Sequence, residues 1–403
     1  MNTSLDNPRN PTDADATHDR LVAAAAQLRG QLQEDAAQQD RERGLTDRTA
    51  SALRDGGLLR LTVPKAFGGH EADVRTLLDV TAELGRGCTS TAWVTGILNT
   101  GNLHAALFPD KVRRMVWGSD PNAATISVLA PSVRAEQVDG GVRLTGRWGY
   151  SSGSQIAQWA MMGIPSSGGK GSGAGLALIP MDELSVEDTW HVMGMRATAS
   201  NTVLAEDVFV PDDRILSQEQ VLSGALADAY PEEPLYQSNV VGIKILSLLG
   251  AQLGAIRTAF EYVCDKASQR SVTTTSYAKQ SDSVSFQSEI AQASHKIDVA
   301  DLLLHRTAEV IDDHARAGTR IDLQLRSRNR LDGATASQLI KEAMDLLVSA
   351  HGAGSFADVN PLQRIFRDLN VASRHAGTGA SVPRELHGKV LLDQDPYTVT
   401  SLL

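Results

Sequence analysis

The chain is poor in cysteine and has no excess of basic residues, and each shortage excludes a class of protein. Its 403 residues include two cysteines, Cys88 and Cys264, which are too few and too far apart for a disulfide framework or a metal site. Two isolated thiols fit a reducing, cytoplasmic environment. The formal net charge is -10, so nucleic acid is not an expected partner.

Export, membrane and nucleotide-binding signals are also missing. The polar N-terminus has no apolar core for export, and we expect residues 1–16 to be disordered. The longest apolar run, 240–256, is short for a membrane span and is interrupted by Lys244 and Gln252, so it predicts a buried helix. There is no GxGxxG motif for a Rossmann domain, and the Gly/Ser-rich stretch 163–177 lacks phosphate-loop spacing and predicts a turn.

The patterns that are present divide the chain into three regions. Residues 17–122 contain apolar-periodic segments rich in helix formers, with Thr46 or Asp47 as a helix start. Residues 123–225 contain short β-rich segments, including a hairpin signal in which Asp-Gly-Gly separates VRAEQV from VRLTGRW. Residues 226–403 contain four long helical segments with short loops, which predict a four-helix bundle.

This order of helices, small β domain and bundle resembles the acyl-CoA dehydrogenase fold. The segments GRWGYSSGSQIAQW, DTWHVMGMRATASNTV and RIFRDLNVASRHA resemble one branch of that fold, the reduced-flavin-dependent monooxygenases. These proteins are the oxygenase components of two-component systems. The resemblance covers nearly the whole chain from about residue 20. It implies a mainly α protein with a central β-barrel domain, and by analogy a homotetramer.

The resemblance assigns the Gly-Tyr-Ser-Ser-Gly stretch to the flavin. Ser152 would place a hydroxyl beside flavin N5, next to the C4a carbon that carries the oxygen adduct. Gly149 and Gly153 would let the backbone approach closely. From the residues alone, the neighbouring serines could equally satisfy the end of a strand.

Four further residues are expected to bind the cofactor. Trp190 would form a wall against the flat flavin ring, or else belong to the core. Arg196 and Ser200 lie in a segment that contacts flavin in related proteins. Arg270 ends the first bundle helix, where the resemblance implies contact with the flavin phosphate of a neighbouring subunit, although a cation also suits a helix C-terminus.

The segment after the last long helix carries the expected catalytic group. His375 stands where the monooxygenases place their imidazole, which can act as acid or base during oxygen transfer. Asp368 lies seven residues earlier and would share a helix face with His375 if the helix were continuous, pairing with Arg364 or another bundle charge. Glu385 is the nearest candidate for the carboxylate base of an acyl-CoA dehydrogenase.

The implied function is that of a two-component flavin monooxygenase. Reduced FMN, or less favourably FADH2, would come from a separate NAD(P)H:flavin reductase and react with O2 to give a C4a-hydroperoxide. The adduct would hydroxylate a small organic, preferably aromatic, substrate in a water-poor cavity. N- or S-oxygenation, an acyl-CoA dehydrogenase with tightly bound FAD, and a non-catalytic assembly module remain alternatives.

One departure from the family pattern concerns the substrate. Several phenol hydroxylases of this group carry a histidine in the second apolar helix of the N-terminal domain, which helps hold the phenolate. Here Thr100, Gly101 and Asn102 stand near that place, and His104 is shifted along the helix. The sequence therefore predicts a larger or differently polar substrate.

Overall fold

The computed structural model describes residues 13–165, 174–238, 240–400 and 403. Helix formation begins at Asp13, four residues inside the stretch expected to be disordered, and the rest of that stretch lies outside the described residues. The middle of the predicted Gly/Ser turn also lies outside them.

The N-terminal region is helical and is built around one fully buried helix. Thr46 caps α3 by accepting a hydrogen bond from the Thr49 backbone N–H, as the sequence predicts. Every residue of α5 is buried, and small residues allow this: a Cβ at Gly101 would lie 1.8 Å from the carbonyl oxygen of Thr125. The close contact fixes α5 against the first β-strand. The helices are α1 (Asp13–Gln27), α2 (Arg29–Glu42), α3 (Asp47–Asp55), α4 (Val74–Gly85), α5 (Thr89–Ala105) and α6 (Asp110–Trp117).

The described residues of the central region form two four-stranded sheets. One has the order β1-β4-β5-β8, with β1 and β4 parallel, and the other is antiparallel with the order β2-β3-β7-β6. The predicted hairpin is confirmed, because β2 and β3 pair from Val138 opposite Gly141. The buried Trp148 joins the sheets by donating from Nε1 to the Gly163 carbonyl at 2.8 Å. The strands are β1 (Thr125–Val128), β2 (Val133–Val138), β3 (Gly141–Ser151), β4 (Trp159–Ile164), β5 (Gly175–Pro180), β6 (Ser185–Glu187), β7 (Asn201–Pro211) and β8 (Ile215–Ser217).

The C-terminal region is helical, but its helices differ from the four predicted segments. The segment ATASQLIKEAMDLLVSAHGAG (334–354) predicts the third of these helices, but α10 begins eleven residues earlier, at Leu323, because Asp322 caps it through the Leu325 N–H. α11 ends at Ala372, so the expected continuous helix through His375 is wrong. A short further helix, α12, was not predicted. α7 (Gln218–Ser223) lies at the end of the central region, and the helices of the C-terminal region are α8 (Val240–Ala267), α9 (Val284–Arg316), α10 (Leu323–His351), α11 (Pro361–Ala372) and α12 (Ser381–Leu391).

The apolar run 240–256 lies within α8. By length and composition α8 is the one helix of the described residues that could cross a membrane, but most of its apolar window is buried within the protein. It packs against α4 and α5 on one side and the other bundle helices on the other. α8 is therefore the central helix that joins the N-terminal region to the bundle.

Candidate active site

A cavity of about 1130 Å³ lies where the sheets, α5, α8 and the end of α11 meet. This exceeds the usual range for a site that takes one drug-sized ligand, so it has room for a cofactor and a substrate together. Four of the six residues predicted to form the site line it, namely Ser152, Trp190, Ser200 and His375. Residues more than two hundred positions apart in sequence thus share one chamber.

Strained backbone shapes the wall at the end of β3. Tyr150 has φ of 61° and Gly153 has φ of 80°, both in the left-handed region. Met195 and Ala199, which flank a short 3₁₀ turn at Arg196–Thr198, also have positive φ. Such conformations are costly for non-glycine residues and cluster at functional sites. Here they turn the Ser152 and Ser200 side chains towards each other.

Three hydroxyls at this wall form a chain with a defined direction. The Oγ atoms of Ser152 and Ser200 are 2.6 Å apart, and Ser200 Oγ is 2.7 Å from Thr198 Oγ1. Thr198 Oγ1 donates to the Met195 carbonyl at 2.8 Å, which uses its only proton. Ser200 must then donate to Thr198, and Ser152 must donate to Ser200. The proton of Ser152 is therefore already used, and towards the cavity its Oγ can only accept a hydrogen bond.

Trp190 lies on the same wall beside Tyr150. Their rings meet edge to face, with centroids 5.9 Å apart, and Trp190 Nε1 donates to the Met195 carbonyl at 2.9 Å. Tyr150 is 79% exposed, which is unusual for an aromatic side chain. Trp190 is thus held in place by its indole N–H, and both aromatic side chains line the cavity.

His375 lies in the turn after α11, not on the helix. Its Nδ1 accepts the backbone N–H of Gly377 at 3.0 Å, and its ring meets Trp93 edge to face with centroids 5.4 Å apart. Burial, and then the nearby charge of Lys244, lower the pKa of His375 to about 4. The imidazole is therefore neutral near pH 7. Because Nδ1 is an acceptor, the ring proton is on Nε2, and His375 enters the cavity as a hydrogen-bond donor.

The sequence predicts that Asp368 pairs with Arg364 or another bundle charge. The described residues form no ion pair between Asp368 and Arg364, although the nearby charge of Arg364 acts to lower the pKa of Asp368. Its Oδ1 accepts the backbone N–H of Met195 at 2.5 Å. Burial raises the pKa of Asp368 to about 6. The side chain therefore fastens α11 to the loop that carries Trp190 and Ser200.

Arg196 is not among the residues that line the cavity. Its Nε donates to the Asp40 carbonyl at 2.8 Å, and its guanidinium also donates to the Val192 carbonyl at 3.0 Å. The Asp40 carboxylate in turn accepts from Arg367 at 2.9 Å. These contacts tie α2, the site loop and α11 together, so the structure gives Arg196 a structural position behind the wall.

Arg270 also lies outside the cavity lining. It follows α8 and donates to the His351 carbonyl at the end of α10, at 3.0 Å, while its Nε has no hydrogen-bond partner among the described residues. The Arg270 side chain is half-buried, and its contact with the flavin phosphate of another subunit stays a prediction.

Two cavity residues were missed as site residues by sequence reasoning, His104 and Lys244. His104 is buried, with Nδ1 3.2 Å from Ser127 Oγ, and burial followed by the charge of Lys244 lowers its pKa to about 3. Burial lowers the pKa of Lys244 to about 8. The signal for Lys244 is a single charge within an apolar helix, which by itself indicates only that the run is interrupted as a membrane span.

The described residues that line the cavity include no aspartate or glutamate. Glu385, the candidate base of a dehydrogenase, is exposed on α12 and is not part of the lining. A carboxylate base for α-proton abstraction is thus missing from the described wall. The cations that line it are Lys244, Arg330 and Arg374.

The fold defines the class of the protein. The model of the acyl-CoA dehydrogenase N-terminal domain matches residues 16–107, and that of the C-terminal domain matches residues 246–379. The flavin-dependent monooxygenase oxygenase subunit HsaA of Rhodococcus jostii (strain RHA1) is 32% identical over 350 residues, covering 86% of this chain and 91% of that protein. The chain belongs to the family of flavin-dependent monooxygenase oxygenase components with this fold.

Two further comparisons agree with this membership. The oxygenase component of the FADH(2)-dependent resorcinol hydroxylase of Rhizobium sp. (strain MTP-10005) is 29% identical and covers 94% of this chain and 95% of that protein. The structure of XiaF from Streptomyces sp., in complex with FADH2 and glycerol, has a TM-score of 0.92 at 35% identity and covers 97% of this chain and 99% of that one. The similarity therefore extends through all three regions.

Proposed function

We propose that the protein takes reduced FMN or FADH2 from a separate NAD(P)H:flavin reductase and uses O2 to hydroxylate a small aromatic substrate in the cytoplasm. The observation that carries this is the cavity itself, which joins a directed hydroxyl chain, an aromatic wall and a neutral imidazole, with no carboxylate in its described lining. In the net reaction, substrate, O2 and reduced flavin give hydroxylated substrate, water and oxidised flavin. The resorcinol hydroxylase component and the XiaF complex are both named with FADH2, which supports FADH2 as a candidate beside FMN.

The donors and acceptors of the wall fit a reduced flavin. The free lone pair of Ser152 can accept an N–H, and reduced flavin carries a proton on N5, where oxidised flavin does not. Trp190 and Tyr150 can pack against a flat ring. Bound reduced flavin would supply the electrons that activate O2. The role of the chain is then to hold the ring edge at Ser152 and Ser200.

The remaining wall serves oxygen transfer. Apolar side chains such as Ile97, Ile245 and Leu248 line the cavity and exclude water. Water inside the cavity would favour the release of hydrogen peroxide in place of oxygen transfer. His375 donates a hydrogen bond from Nε2–H to a developing negative charge on oxygen, or holds the substrate oxygen in place. A preorganised donor of this kind stabilises charge without reorganisation.

The proposal is tested by mixing the flavin-free protein with reduced FMN or FADH2 without oxygen and then admitting O2 in a stopped-flow spectrophotometer. We expect reoxidation of the bound flavin to follow a time course distinct from that of free flavin, with less hydrogen peroxide formed when an accepted substrate is present. Reoxidation identical to that of free flavin, for both flavins, would overturn the proposal. Ser152→Ala is the matched variant and should bind reduced flavin more weakly.

We also propose that the protein is a homotetramer in which Arg270 contacts the flavin phosphate of a neighbouring subunit. Exposed apolar side chains on the C-terminal region support an assembly, among them Leu302 at 71% and Val359 at 94% exposure. Light scattering after size-exclusion chromatography measures the oligomeric state, and a monomer at all concentrations would contradict this proposal.

A further inference from the structure

Met193 places an exposed thioether on the wall that the reduced flavin is proposed to occupy. It lies in the loop between Trp190 and Ser200, and all three side chains line the cavity. Among the methionines of the described residues, only Met193 and Met115 are exposed, at 58% and 48%, and Met115 is not part of the lining. Met193 is therefore the one exposed sulfur-containing side chain in the described lining.

The backbone around Met193 is fixed, so its side chain stays at this wall. The Met193 carbonyl accepts a hydrogen bond from the Arg367 guanidinium, and the Met195 N–H donates to Asp368 at 2.5 Å. Gly194 allows this close approach to α11, because a Cβ there would clash with the Arg367 carbonyl. A flexible, polarisable thioether thus stands on a rigid part of the loop.

A thioether in this place reacts with hydrogen peroxide, which reduced flavin and O2 form when no substrate is bound. A lone pair of the sulfur attacks one peroxide oxygen, the O–O bond breaks and an S–O bond forms. The sulfide is oxidised by two electrons to a sulfoxide, and the departing hydroxide takes up the proton of the transferred hydroxyl group and leaves as water. The thiols of Cys88 and Cys264 do not compete, because neither belongs to the lining and burial raises the pKa of both.

From this placement we propose that Met193 is a reversible oxidation site through which peroxide formed in the cavity weakens flavin binding. The inference rests on the proposed function, in which reduced flavin reacts with O2 in this cavity. Oxidation converts an apolar side chain of the flavin-facing wall into a polar sulfoxide, so the wall holds reduced flavin less tightly. A protein without substrate then stops consuming reduced flavin, and a methionine sulfoxide reductase restores it.

The test compares peroxide made in the cavity with peroxide added to the solution. Protein without substrate, in excess over the flavin, receives repeated doses of prereduced FMN or, in a second series, FADH2, in air, in the dark and with catalase present. Catalase destroys peroxide that reaches the solution, so tandem mass spectrometry should find Met193 oxidised several-fold more than Met115. Hydrogen peroxide added to flavin-free protein without catalase should oxidise both to a similar extent, because both are exposed.

A second measurement tests the consequence of oxidation. After treatment with hydrogen peroxide, the wild-type protein should bind reduced FMN or FADH2 several-fold more weakly in an anaerobic titration. Methionine sulfoxide reductases A and B should restore the affinity. Met193→Leu, which cannot form the sulfoxide, should bind equally before and after treatment, whereas Met115→Leu should respond as the wild type does.

Three outcomes would overturn the inference. The same ratio of Met193 to Met115 oxidation in both peroxide experiments would mean that the cavity does not direct peroxide to Met193. An unchanged flavin affinity of wild-type protein with Met193 oxidised would remove the link to flavin binding. Reoxidation at the rate of free flavin, followed in the same mixture, marks failure of the proposed function and is distinguishable from the other two.

Discussion

Replacing His375 by alanine should uncouple oxygen activation from hydroxylation. The ring contacts the cavity through Nε2–H while Nδ1 is fixed by the Gly377 N–H, so the variant loses one positioned donor and leaves the hydroxyl chain of Ser152 untouched. We expect reduced-flavin binding to stay within about twofold of wild type. Hydroxylation should fall on the order of 100-fold, the usual effect of removing one preorganised donor, with hydrogen peroxide formed in place of product.

The pH dependence follows from the lowered pKa. With a pKa of about 4, less than about one imidazole in 1,000 is protonated at pH 7.5. Hydroxylation should therefore show no inflection between pH 5.5 and 7.5 that depends on His375. His375→Gln, which keeps a neutral N–H donor, should retain more activity than His375→Ala. The measurement is the yield of hydroxylated product per reduced flavin consumed, across this pH range.

The control for this prediction is His191→Ala, which removes an exposed histidine that does not line the cavity. Its product yield should equal that of wild type. An acidic inflection near pH 6.5 in the wild type that disappears in His375→Ala would show a titrating imidazole and refute the neutral-donor reasoning. Unchanged product yield in His375→Ala would refute any role in oxygen transfer.

Three further predictions concern the wall and its supports. Thr198→Val removes the hydroxyl that sets the direction of the Ser152–Ser200–Thr198 hydrogen bonds, so Ser152 becomes free to donate. The affinity for oxidised FMN relative to that for reduced FMN, measured by anaerobic titration, should rise several-fold, and an unchanged ratio would contradict this direction. Asp368→Asn keeps the acceptor for the Met195 N–H but removes a carboxyl whose pKa is raised to about 6. The free energy of unfolding of the variant, measured in urea relative to wild type, should therefore increase by up to about 3 kcal/mol from pH 4 to above pH 6, and a decrease would contradict the raised pKa. Gly101→Ala places a Cβ 1.8 Å from the Thr125 carbonyl and should lower the free energy of unfolding by about 1–3 kcal/mol, whereas Gly30→Ala, with no atom within 4 Å of its Cβ, should not.

The elements that the sequence predicted well are those set by local rules. The Asp-Gly turn between β2 and β3 needs a residue that tolerates positive φ, and Gly140 has φ of 75°. Thr46 begins α3 because its side chain can accept an N–H three residues on. The family resemblance added the shared cavity of Ser152 and His375, which composition and periodicity alone could not have provided.

The elements that the sequence did not predict depend on contacts between distant segments. Asp368 was expected to pair along the bundle, but its acceptor bond goes to Met195 in the β region, which no spacing rule reveals. The end of α11 at Ala372 follows from the turn in which Thr378 Oγ1 donates back to the Ala372 carbonyl at 2.9 Å. That turn moves His375 off the helix face and aims it into the cavity.

Lys244 was not predicted as a cavity residue, because the apolar pattern around it predicts a buried helix and gives no further role to a single charge. The run around Lys244 is a buried helix, as the apolar pattern predicts. Taken with that pattern alone, the charge indicates only that the run does not span a membrane. A buried cation must meet an anion, a dipole or a ligand, and the described cavity wall supplies no carboxylate. The same absence from the described lining that removes the base of a dehydrogenase also leaves Lys244 without a carboxylate beside it in that lining.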